Sequence, residues 1–167
     1  MLTFEAWLDT SGPRVASQID AYREIICDLV SARLATAFPS LCYDATRFDA
    51  IAFQQEVFHN TPRRFHRLMQ VVLRVQAIQV IEREYRWGCP VVARYGVARH
   101  HLLSHARWYF ETTRATALFA SDDLRFLDAL EGRVTQMIDQ ITMVSAAMPR
   151  PLGALAHNGH RNGHRAN

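Results

Sequence analysis

The sequence predicts an all-α protein, and three observations carry that expectation. Apolar residues recur three and four positions apart in segment after segment, and no stretch alternates apolar with polar residues as a half-buried strand would. Proline, glycine and hydroxyl residues fall between these segments as helix starts and stops. The C-terminal third carries one long apolar line, Leu127, Leu130, Val134, Met137, Ile141 and Val144, which faces either the core or a second subunit. The reading is a bundle of about seven helices.

Taken in order, Ser11-Gly12-Pro13 is a break, followed by a helical stripe at Val15, Ile19, Tyr22, Ile26 and Leu29. That helix ends near Phe38-Pro39, because proline disfavours helical geometry in the residue before it. Residues 48–58 form a short apolar helix. Thr61-Pro62 then starts a long one, with threonine as N-cap and proline in the first turn. Its apolar face is Phe65, Leu68, Val72, Val75 and Ile78, and Trp87-Gly88 closes it, glycine being a usual C-terminal stop. A short helix from Pro90 to Tyr95 stops at Gly96. Residues 98–119 form the next, with Leu102, Ala106, Tyr109 and Thr113 inward. Ser121, Asp122 and Asp123 open the last helix by capping and by early negative charge.

The 167 residues suffice for one domain with a proper core, expected over 1–148, and the Pro, Gly, Asn and His composition of 149–167 predicts a disordered tail. No apolar run approaches the ~18 to 20 residues of a membrane span, and no signal-peptide pattern precedes the first helix. Cys27, Cys42 and Cys89 stand in no metal-type spacing, so a reducing cytoplasm is the expected location. All nineteen basic residues are arginine, which excludes lysine Schiff bases and a P-loop lysine. The net charge of +3 is spread over many segments, and no helix-turn-helix signal accompanies it, so a nucleic-acid partner is not expected.

The order of helices, and above all residues 90–141, where Tyr95-Gly96-Val97 is followed by a helix with His101 and Trp108-Tyr109, resembles the globin superfamily. Upstream, Ala37-Phe38-Pro39 and then Phe48 are similar to the corner between the second and third globin helices and to the aromatic that packs on haem. The resemblance implies a globin-like fold, a haem cofactor binding a diatomic gas such as O2, and the helix from Pro62 lying over the ligand. In the family pattern the proximal histidine precedes the aromatic of the Tyr-Gly-Val turn by three residues. Val92 stands there, and valine cannot ligate iron. Two neighbours are substitutes: Cys89, one turn earlier on the same face, or His101, just after the turn.

The cofactor-binding candidates are therefore Phe48 and Tyr95 for packing, His59 and His66 on the distal side, and Cys89 and His101 as alternative iron ligands. His66 falls on the arginine-rich side of its helix. His101 and His105, four apart, share a helix face that suits a metal, or else are half-exposed packing residues. His157, His160 and His164 lie in the tail, without fixed geometry. No phosphate loop, His-Glu-x-x-His motif or Gly-x-Ser-x-Gly elbow occurs, and Asp122 and Asp123 read as caps, so an enzyme is not expected. Two functions stand side by side: a globin-like domain binding haem and a gas, and a haem-free globin-fold sensor or protein-interaction domain of the stress-signalling or phycobilin-related type. The second dimerises through its last helix or docks on a signalling partner.

Overall fold

The computed structural model describes residues 3–41 and 50–147, and among them six α-helices and one 3₁₀ turn occur, with no strand. Phe48, Cys42 and the 149–167 tail lie outside the described residues. No helix described is long and apolar enough to cross a membrane.

Helix α1 (Phe4–Ala21) is started by Thr3, whose hydroxyl accepts the Ala6 N–H at 3.2 Å. The Ser11-Gly12-Pro13 triplet lies inside this helix, where a break was expected. Gly12 answers to packing: a Cβ on it would stand 2.3 Å from the Leu73 carbonyl oxygen, so α1 and the helix that carries Leu73 approach backbone to backbone. The interruption comes instead at Tyr22 (φ −110°, ψ 15°), and α2 (Arg23–Ala37) follows, ending before Phe38-Pro39 as the proline requires.

Helix α3 (Ala50–Val75) corrects a second boundary. It runs without interruption through Thr61 and buried Pro62, joining two helices expected to be separate. The Thr61 hydroxyl donates backwards to the Val57 carbonyl at 2.7 Å and does not cap. The chain then breaks at Gln76, whose φ of 58° is left-handed without being glycine. The Gln76 amide holds that geometry by donating to Asp9 at 2.7 Å. Helix α4 (Gln79–Val92) passes straight through Gly88, the expected stop, and tightens into a 3₁₀ turn (Ala93–Tyr95). Gly96 ends it as expected, at φ 78°: its N–H bonds the Ala93 carbonyl and the Val97 N–H bonds the Val92 carbonyl, which satisfies two end carbonyls at once.

Helices α5 (Arg99–Thr116) and α6 (Ser121–Ala147) complete the chain. Helices α1 and α2 pack on α3, α5 packs on α2 and α6, and α4 leans on α6, sharing few contacts with α3. The core gathers Trp7, Ile19, Ile26, Phe65, Leu73, Ile81, Tyr109, Phe110 and Ile138. The α6 line from Leu127 through Leu130 and Val134 is wholly buried in it, so these residues are the molecule's own interior and not a face open to a second subunit. Only its far end, Val144, is exposed.

Asp123 does more than begin α6. Buried at 2% exposure, it accepts the Trp7 indole N–H at 3.0 Å, and a single Arg14 nitrogen, Nη2, donates to both of its oxygens at 2.8 and 2.9 Å. It thereby fastens α1 to the start of α6.

Candidate functional site

Because α3 is held by α1 and α2 while α4 is held by α6, the two helices diverge and leave a cleft of about 700 Å³, within the ~300 to 1,000 Å³ range of small-molecule sites. Phe53, Val57, Phe65 and Leu68 of α3 form one wall. Tyr85, Trp87, Cys89, Val91 and Val92 of α4 form the other, and Leu102 and His105 of α5 complete the lining. The lining is mainly apolar, with Arg64, Arg67, Glu56 and Glu84 among it. Arg64 is engaged, pairing with Glu84 at 2.5 Å and lying over the Trp87 ring. Arg67 is exposed and has no acidic partner among the described residues.

His105 is the unusual member. It is 4% exposed, and its Nε2 has no hydrogen-bond partner. Leaving such an atom unpaired in an interior costs on the order of 1 to 3 kcal/mol. Burial alone pushes its pKa down to about 4, so the ring is neutral at pH 7. The Phe65 ring packs edge-on against it at 5.1 Å and helps to fix its orientation. Arg114 Nη1 is likewise buried without hydrogen-bond geometry, yet it sits 2.7 Å from Glu131 and 3.1 Å from Asp128. Among the described residues, His105 Nε2 is thus the buried side-chain atom with neither a hydrogen bond nor a charge partner.

Of the residues singled out by the sequence, Cys89 and Val92 line the cleft. Burial raises the Cys89 thiol above its usual pKa, which keeps it protonated and weakens it as a metal ligand. His101 does not line the cleft. Its Nδ1 accepts the Ala98 N–H at 2.9 Å, closing the first turn of α5, and its ring packs edge-on against Phe38 at 4.5 Å. His59 is exposed and joined to Arg63 at 3.0 Å, and Tyr95 is 46% exposed beside Phe53.

His66 departs furthest from expectation. Instead of facing outward with the arginines it is 1% exposed, with Nε2 3.1 Å from Asp20 and Nδ1 2.8 Å from the Tyr109 hydroxyl. Burial holds its pKa below the ordinary histidine value, against the opposing pull of Asp20. The Asp20–His66–Tyr109 chain ties α1, α3 and α5 together, and none of the three lines the cleft.

His105, expected to share a metal-suited face with His101 or to be a half-exposed packing residue, is instead buried. The available signal was its place one turn before Tyr109 and one after His101, on the side of α5 that carries Leu102 and Ala106. Among the described residues no group of three or more His, Cys, Asp and Glu could hold a metal ion by itself. Comparison with models of known families, with curated proteins and with solved structures returned no match for this chain.

Proposed function

We propose that this chain is a globin-like ligand-binding domain whose cleft between α3 and α4 holds haem, and through it a diatomic gas. The observation that carries the reading is the mainly apolar 700 Å³ cleft with a buried, unpartnered imidazole nitrogen in its lining. Haem, which the resemblance to globins implies, suits that lining in two further respects. Phe53, Phe65, Tyr85 and Trp87 offer aromatic surface to a flat apolar ring, and Arg67, without an acidic partner among the described residues, offers a cation to carboxylates at its edge. When bound, the iron supplies the coordination site for a gas. The chain's own residues exclude water from the porphyrin and orient it.

The test is titration of the purified chain with haemin. Saturable binding with an intense band at the blue edge of the visible is the expected result, and a colourless protein that takes up no haemin refutes the reading.

A second reading, a haem-free globin-fold sensor or protein-interaction domain, is favoured by Val92 on the cleft wall and by the absence of histidine from α4. It predicts no haemin uptake. If that form dimerises, the contact lies outside the buried Leu127, Leu130 and Val134 line.

A further inference from the structure

We infer that His105 Nε2 is the protein's iron-ligating atom, so that a metalloporphyrin is held from α5 and not from α4. This rests on the reading above and names the anchoring residue within it. A bare metal ion needs several protein ligands, and among the described residues no cluster provides them. A metal that arrives with its four equatorial positions already filled by a macrocycle needs one more ligand, and a single neutral imidazole is a sufficient donor.

Among the histidines of the described residues, His105 fits that requirement. His59 lies outside the cleft lining beside Arg63, His66 is engaged on both ring nitrogens, and His101 closes the turn of its own helix. His100 is exposed and does not line the cleft. Cys89 does line it, as a buried protonated thiol that would have to lose its proton to bind strongly. His105 lines the same cleft and carries a buried, uncommitted nitrogen, and the edge-on contact with Phe65 limits the ring's freedom to turn away.

The experiment titrates haemin and iron-free protoporphyrin IX separately into the full chain and into His105→Ala, His105→Leu and Cys89→Ser variants, with absorbance and electron paramagnetic resonance as readouts. Both porphyrins should bind the parent chain, and the haemin complex should carry the signature of imidazole-ligated iron. Both His105 variants should bind haemin about tenfold or more weakly. They should lose that signature and, for His105→Ala, regain it on addition of free imidazole. Their affinity for protoporphyrin IX should stay within about twofold of the parent's, which also shows that they fold. Cys89→Ser should leave the spectrum unchanged.

An unaltered haemin spectrum in the His105 variants, or its loss in Cys89→Ser, overturns the ligand assignment while haemin binding itself stands. Failure of the parent chain to bind either porphyrin overturns the functional reading and the assignment together.

Discussion

Replacing Gly12 by alanine tests the tightest crossing in the molecule. The added Cβ would stand 2.3 Å from the Leu73 carbonyl oxygen and 3.3 Å from its carbon, against an ordinary contact of 3.4 Å or more. Backbone atoms cannot rotate aside as a flexible side chain does, so α1 must move away from α3 by about 1 Å, loosening the buried Leu8, Val15 and Leu73 contacts. Overpacking of this kind costs about 1 to 3 kcal/mol. The opposing term is the intrinsic gain of alanine over glycine inside a helix, about 1 kcal/mol at most. A net loss of about 1 to 2 kcal/mol is expected, or a fall in Tm of about 2 to 8 °C for a chain of this size. Gly132→Ala is the internal control, because an added Cβ in α6 meets nothing within 4 Å and only the propensity gain applies. Circular dichroism melts and urea titrations should therefore move in opposite directions for the two variants. A Gly12→Ala protein as stable as Gly132→Ala would refute the close approach of α1 and α3.

Three further outcomes follow from buried polar contacts. Tyr109→Phe removes the hydroxyl that meets His66 Nδ1 at 2.8 Å and leaves that nitrogen unpaired, so stability should fall by about 1 to 3 kcal/mol in urea unfolding; an unchanged midpoint would remove the three-helix tie. Asp123→Ala strands the Trp7 indole and the Arg14 pair and should cost about 2 kcal/mol, whereas Asp122→Ala, beside a solvent-exposed Arg125, should change stability by less than about 0.5 kcal/mol; equal effects would return Asp123 to a capping role. His105 is neutral in the fold, with a pKa of about 4 against 6.5 when unfolded, so the unfolded chain binds the extra proton between those values. Its contribution is complete above pH 6.5 and is lost as pH falls towards 4, by about 3 kcal/mol, and His105→Leu should flatten the urea midpoint over that window relative to the parent chain; parallel profiles would contradict its burial.

The class of fold was legible because helical periodicity is local: Val15 and Ile19, Leu102 and Ala106, Leu127 through Ile141 each mark an inward face without reference to any neighbour. Gly96 was legible for a similar reason, since a left-handed residue ending a helix is a demand of the backbone itself. Cys89 and Val92, three residues apart, fall on one face of α4 as their spacing implies, and both line the cleft. Other boundaries were not legible. Gly12-Pro13 and Thr61-Pro62 carry the local marks of breaks, yet both lie inside helices whose packed faces outweigh a lost hydrogen bond. The break at Gln76 has no glycine or proline to announce it and depends on Asp9, far away in sequence.

The sequence by itself determined that the chain is helical, where most apolar faces lie, and that the helix before α5 stops at Gly96. Tertiary structure decided the histidines. His66 joined Asp20 and Tyr109, His101 was spent on its own helix end, and His105 was left unpaired in the cleft between α3 and α4. The physical reason is that a helix face is set by spacing along one segment, while burial and the availability of a nitrogen lone pair depend on which other helices arrive beside it.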